Sequence, residues 1–295
     1  MADMNDVSQD AGWRGKFAGF ALGLSIFSVL WFAIAALGTK FGLWNYGFGL
    51  GVMMGNLKAG LGRFVIGAAV ISSVLALIIA LIRSPRKQAT MLALGAILII
   101  SLLGFRWIGF QLNALRLPPI HDVQTDWLNP IQPSEKLVQE REKSGAENLI
   151  EDAPVVPERA SGGWPGTGGR PVSELQEEAE FDPAKQSSPK NAPYPMLETL
   201  LEPAASYDMA YEAALEAVKA RGWKVVTDDV QSGSIEATVT SFWFDFKDDV
   251  MIRVMPEGEG SRIDVRSISR VGLSDLGANS KRVSDLLGEI QTRLN

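Results

Sequence analysis

Three long runs without a charge occupy the first third of this sequence and leave it few ways to fold. Residues 17–38 read FAGFALGLSIFSVLWFAIAALG, residues 64–82 read FVIGAAVISSVLALIIALI, and residues 89–105 read ATMLALGAILIISLLGF, continuing past Arg106 to Phe110. A helix of roughly 20 apolar residues crosses the hydrocarbon core of a bilayer. Lipid offers the backbone no hydrogen-bond partner, so such runs span as helices. The runs therefore predict a membrane region over 17–110 with helices at about 17–38, 64–82 and 89–110, behind a cytoplasmic tail, 1–16. The first run is too long for a cleavable signal and is followed by two more.

Short loops rich in Lys and Arg stay inside. Arg83, Arg86 and Lys87 separate the second and third runs, and Arg14 and Lys16 precede the first. With both inside, the C-terminal region faces out, which corresponds to the periplasmic side of a bacterial inner (cytoplasmic) membrane. Lys40, Lys58, Arg63 and Arg116 oppose this bias but are spread more thinly. The loop 39–62 is rich in glycine and aromatics, including Trp44 and Tyr46, and reads as an interfacial or re-entrant segment. Gly19 and Gly23 form a GxxxG pattern, which suits close helix contact in lipid.

Charge is unevenly divided. Residues 1–133 carry ten Lys/Arg against five Asp/Glu, residues 134–203 seven against fourteen, and residues 204–295 eleven against fifteen. A nucleic-acid partner would need a concentrated basic face, so none is expected. The absence of cysteine excludes disulfides, thiolate metal sites and cysteine nucleophiles.

After the membrane region the chain divides into an extended arm, 111–133, an acidic Gly/Pro-rich linker, 134–203, and a regular domain, 204–295; within the linker 134–192 reads as loosely ordered, either flexible or draped on the surface, with room for a short helix at about 134–143. Residues 207–221 place Tyr211, Ala214, Leu215 and Val218 on one helical face. Four alternating segments follow at 223–227, 233–242, 250–255 and 261–270. Period two with one polar face predicts an antiparallel sheet half covered by other elements. Val283, Leu286, Leu287, Ile290 and Leu294 form the stripe of a last helix over 280–294. The fold class is α+β: three transmembrane helices, then a soluble α-β-β-β-β-α domain with helices covering one face of its sheet.

The stretch from DDVMIRV through SRIDVRSISRVGLSDLGANSKRVSDLL resembles the DUF1499 family. PPIHDVQTDWLNP at 118–130, YPMLE at 194–198 and WKVVTDDVQSGSIEATVTSFWFDFKDD at 223–249 extend the resemblance over roughly 112–295. It implies a domain without an assigned reaction, often membrane-attached in bacteria or akin to plastid lumenal proteins.

The candidate chemistry lies in two groups. Asp248 and Asp249 form an acidic pair before a strand, suited to acid/base work or to a turn. Arg253, Arg262, Arg266 and Arg270 share a sheet face with Asp264, either as an ion-pair ladder or as an anion-binding face. Asp275 and Asn279 lie in the turn into the last helix beside Arg282, and a ligand site of Arg253, Arg266, Arg270, Asp275, Asn279 and Arg282 is expected there. No cofactor and no metal are called for: the single histidine, His121, has carboxylates nearby but no second His or Cys. Beyond the lipid bilayer, the expected partner is an envelope protein, as in assembly of a membrane complex, or an anionic lipid or sugar. The alternative is a hydrolase or transferase acting on a lipid or cell-wall substrate; the lack of a catalytic constellation weighs against an enzyme.

Overall fold

A computed structural model describes residues 12–82, 86–188 and 192–295. Residues 1–11, Arg83, which helps orient the chain, and linker residues 189–191 lie outside the described residues, whereas Arg14 and Lys16 lie within them. The chain divides into two units, at residues 113 and 114.

The first unit holds α1 (Gly12–Lys40), α2 (Gly62–Ile82) and α3 (Lys87–Ala114), each long and apolar enough to cross a membrane. Their burial pattern is the reverse of a water-soluble bundle. Small residues meet inside: Ala18 and Ala21 of α1, Ala76 and Ala80 of α2, and Ala89, Ala93 and Ala96 of α3. Large residues such as Phe20, Ile71, Ile82, Leu98 and Phe105 point outward. Lipid tails are as apolar as leucine, so helices associate there through close backbone approach and buried hydroxyls rather than by hiding oil from water. Ser25 Oγ and Ser73 Oγ lie 3.2 Å apart between α1 and α2. Gly19 and Gly23, by contrast, meet nothing within this chain; the contact runs along the neighbouring alanines and serines instead. In the first loop, residues Gly47–Met54 form a π-helical turn. Trp44 lies over Gly38, where a Cβ would collide with its ring, and donates from Nε1 to the Ala35 carbonyl at 3.1 Å.

The second unit is built on an open antiparallel sheet. Its strands are β1 (Asp122–Gln124), β2 (Leu200–Glu202), β3 (Lys224–Asp229), β4 (Ser234–Thr240), β5 (Lys247–Glu257) and β6 (Gly260–Ser269). The order is β1-β6-β5-β4-β3, with β2 beside β1 on the same edge of β6. On one face pack α6 (Tyr207–Ala220) and α7 (Ala278–Leu294). Val250, Ile252, Val254, Ile263 and Val265 of the sheet close there on Ala214, Val218, Val283, Leu286 and Ile290. The α+β class and the antiparallel sheet flanked by helices follow the sequence pattern.

The opposite face is covered too, by the segment read as a loose linker. α4 (Glu135–Lys143) begins at Ser134, whose Oγ caps the Leu137 amide at 3.2 Å and whose amide donates to Glu236 of β4 at 2.6 Å. Leu137 and Ile131 then pack on Val226, Met251 and Ile268 of the sheet. α5 (Val172–Ala179) buries Val172 and Leu175 in the main core. Its Gln176 accepts from the Gln124 amide at 3.1 Å and from Trp127 Nε1 at 2.9 Å. The reading of 134–192 as loosely ordered is therefore corrected for its described residues, while the short helix at about 134–143 is present as α4. Its polar, acidic composition hid a few apolar side chains spaced to fit a sheet that only the rest of the fold supplies.

Leu137 is fully buried. Leu137→Ala is expected to lower the stability of this unit by about 2–5 kcal/mol, read as a drop in the urea midpoint for limited proteolysis of the full chain in detergent. A residue of a solvated linker would leave the midpoint unmoved.

Candidate functional site

The arginine-bearing face lies under residues 122–152 and is neutralised rather than open. Alternation along β6 puts Arg262, Asp264, Arg266, Ile268 and Arg270 on this face. The four-to-one excess of arginine seen in sequence is balanced by carboxylates from other segments. Arg266, fully buried, donates to both oxygens of Asp122 at 3.0 and 2.5 Å and to the carbonyls of Ile131 and Glu151 at 3.0 and 2.7 Å. Arg270 donates to both oxygens of Asp249 at 2.9 and 2.7 Å, and Arg141 of α4 reaches Asp249 at 2.5 Å. Arg253 and Arg262 share Asp264, each at 2.9 Å, and Arg262 also reaches Asp126 at 2.6 Å. Burial opposes ionisation of Asp264, yet hydrogen bonds from Arg262, Thr199 and Arg253 hold its pKa below the usual value. The resulting ladder ties the arm and α4 to the sheet.

Asp248 and Asp249 face opposite sides of the sheet and bind different arginines. Both lie inside β5 rather than in a turn ahead of it, and successive strand residues face opposite ways. Asp249 joins the arginine ladder. Its Oδ1 also accepts from Thr238 at 2.8 Å, so both of its oxygens are engaged. Asp248 lies on the helix-covered face and binds Arg282 of α7 at 2.7 Å.

The group expected around the turn into α7 is likewise split by the sheet. Asn279 is buried; its Oδ1 accepts from Ser267 at 2.8 Å, and its Nδ2 donates to the His121 carbonyl at 2.9 Å and to Ser269 at 3.1 Å. Arg282 donates to the same Asn279 oxygen. Asp275 caps α7, accepting from the amides of Gly277 and Asn279 at 2.8 and 2.9 Å. Burial raises the Asp275 pKa to about 6, against the pull of those amides. These residues brace α7 and the chain at His121. Arg253, Arg266 and Arg270 lie across the sheet from them. His121 itself has its pKa lowered by burial. Among the described residues no group of three or more His, Asp or Glu is arranged to hold a metal ion.

A cationic opening lies at the end of the ladder. A pocket of about 260 Å³ is lined by Lys143 and Ser144 at the end of α4, by Lys224, Thr238 and Lys247 on the sheet, and by Arg270 at its floor. Antiparallel register sets Lys224 opposite Thr238 and Lys247 opposite Thr240, so two neighbouring strand pairs deliver the lysines to one spot. Glu140 is the one carboxylate in the lining and binds Lys224 at 2.8 Å. Arg270 donates to the Glu140 carbonyl at 3.1 Å and to Ser144 Oγ at 2.7 Å, which answers the negative end of α4. Of the expected site residues only Arg270 belongs here. The register of Lys224 and Lys247 was open to a reading of the hairpins; the arrival of Lys143 depends on α4 docking on the face.

Removing one partner of a buried ion pair leaves an uncompensated charge, at a cost of about 3–5 kcal/mol. Arg266→Ala is expected to lose that much stability. Arg266→Met combined with Asp122→Leu is expected to recover most of it, measured by the same proteolysis midpoint. Equal losses in the single and double variants would show that the pair does not act as a unit.

A family model described as a protein of unknown function, DUF1499, matches residues 171–290. No curated protein matches the chain. The matched region takes in α5, the six-stranded sheet except β1, and nearly all of α7, while α4 and the arm that complete the ladder lie ahead of it. The chain is thus a multi-pass membrane protein that carries a DUF1499 domain in its C-terminal unit.

Proposed function

We propose that this protein is a membrane-tethered binding module of the bacterial cell envelope, with its N-terminus cytoplasmic and its C-terminal unit outside, and that the pocket at the end of the arginine ladder holds an anion bearing a phosphate or carboxylate group. The observation that carries this reading is the lining itself: Lys143, Lys224, Lys247 and Arg270 around one carboxylate, Glu140. Arg270 spends its N–H groups on Asp249, Thr238, Ser144 and the Glu140 carbonyl, so it adds fixed positive charge to the pocket while the lysines supply the donors. The lysines are less confined; the Lys224 side chain is 67% exposed and can turn from Glu140 to an incoming anion. The engaged state of Asp249 and the separation of Asp248 from it give the acid/base alternative no pair to work with.

The test is titration of the full chain in detergent with inorganic phosphate and pyrophosphate, followed by calorimetry. Each charge-assisted hydrogen bond contributes about 1.5–3 kcal/mol, so Lys224→Gln with Lys247→Gln is expected to weaken binding by at least about tenfold while the exposed positions leave the melting temperature unchanged. Absence of binding to the native chain, or equal binding to the double variant, overturns the pocket as a site.

Orientation is tested separately. The chain lacks cysteine, so Glu259→Cys, in the exposed turn between β5 and β6, is a unique thiol. Labelling by a membrane-impermeant maleimide on intact spheroplasts is expected; labelling only after lysis would place the unit on the cytoplasmic side.

A further inference from the structure

The hairpin joining β4 to β5 has a composition that nothing above explains. Its tip reads Ser241-Phe242-Trp243-Phe244-Asp245-Phe246, four aromatic residues in six. A water-facing turn normally holds small polar residues. Here Phe242 is 71% and Trp243 54% exposed. The rings pair with one another: Phe242 meets Trp243 edge-on with centroids 5.2 Å apart, and Phe244 stacks on Phe246 at 5.1 Å.

The turn that presents them is built, not slack. The Ser241 amide donates to the Phe246 carbonyl at 2.8 Å, the Phe246 amide to Ser241 Oγ at 2.9 Å, and the Asp245 amide to the Ser241 carbonyl at 3.2 Å. Asp245 takes a left-handed backbone, with φ of 59°, which closes the turn. Phe242 and Trp243 are thereby held at the surface at this end of the sheet, while Phe244 and Phe246 are half-buried.

We infer that this tip is an interfacial anchor that seats the C-terminal unit on the surface of an anionic bilayer. Aromatic side chains with apolar bodies favour the headgroup region, and apolar residues flanked by basic ones bind anionic lipid surfaces. The charge at this end of the sheet fits. Lys247 closes the hairpin opposite Thr240, and Lys224 and Lys143 lie beside it in the pocket lining. Asp245 is the acidic residue of the tip, and Lys247 answers it at 3.9 Å. The chain's own topology supplies the bilayer. β1 begins at this same end of the sheet, with the His121 carbonyl accepting from the Ser269 amide at 2.8 Å. Seven residues, 115–121, separate that point from the end of α3, and seven residues reach at most about 25 Å when fully extended. The inference needs no occupant in the pocket, so it stands or falls apart from the anion site.

Depth of the tip in the membrane is the deciding measurement. In the cysteine-free chain, Phe242→Cys gives a single thiol for a nitroxide. The full chain is reconstituted in phosphatidylcholine vesicles containing about a quarter phosphatidylglycerol, and power-saturation spectra are recorded with oxygen and with a water-soluble nickel chelate. The label at 242 is expected to favour oxygen, as a lipid-inserted group does, while a label at Glu259→Cys, in a turn at the opposite end of the sheet, favours nickel. Adding Trp243→Ser and Phe244→Ser to the 242 label is expected to shift it back toward nickel, as is omission of phosphatidylglycerol. Equal nickel access at 242 and 259 overturns the inference. So does a 242 label shielded from both reagents, which would mark the tip as a contact for protein, whether a second copy or another chain.

Discussion

The buried charge ladder between the sheet and residues 122–152 is what the second unit depends on. Arg266 lies at its centre, fully buried and bonded to Asp122 and to two backbone carbonyls. Buried ion pairs add little net stability, because desolvation of both partners offsets their attraction. They do penalise every arrangement in which one partner is left alone. Asp122 and Arg266 sit on adjacent antiparallel strands, with Asp122 opposite Ile268 and Gln124 opposite Arg266. A slip of one residue would flip the side chains of β1 to the other face and strand Arg266 in an apolar setting. The pair thus ties the short β1, three residues long, to one register that its few backbone bonds alone would not enforce.

The same logic extends outward along the face. Arg141 and Arg270 both close on Asp249, joining α4 to β5 and β6. Arg253 and Arg262 close on Asp264 and Asp126, joining the arm to the sheet. Apolar contacts of Leu137 and Ile131 fill the space between the ion pairs. Each arginine is therefore occupied before a ligand could claim it. The proposed anion site lies where the cover ends, at the edge formed by the carboxyl end of α4 and the first residues of β3 and β5. There the lysines have no buried carboxylate to satisfy them. Fold and candidate site are in this sense complementary outcomes of one charge distribution.

The two units obey opposite packing rules because their solvents differ. In the first, alanine and serine meet inside and leucine, isoleucine and phenylalanine face out. In the second, branched apolar residues fill the core under α6 and α7, and paired charges are buried on the other face of the sheet. The aromatic tip at residues 242–246 follows the first rule although it belongs to the second unit, which is the reason to connect it with lipid.

Much of the architecture was legible in the sequence alone. Charge-free runs of membrane length determine three helices whatever surrounds them, since lipid leaves the backbone no alternative. Alternation over 233–242 and 261–270 determines strands with two distinct faces, and the three- and four-residue spacing of Val283, Leu286 and Ile290 determines the last helix. The DUF1499 resemblance was legible for the same reason: it rests on a contiguous string. What the second sheet face does was not legible. A short helix at about 134–143 was within reach of the sequence but its docking was not: Leu137 and Arg141 find partners on strands about a hundred residues away. Asp248 and Asp249 are neighbours in sequence and strangers in space, because β5 starts earlier than its apolar alternation and sends them to opposite faces. Local pattern decides which elements form, because backbone hydrogen bonding and side-chain period are local. Which charges are neutralised and which stay open is decided only when distant segments meet, because the cost of a buried charge depends on its partner and not on its neighbours in the chain.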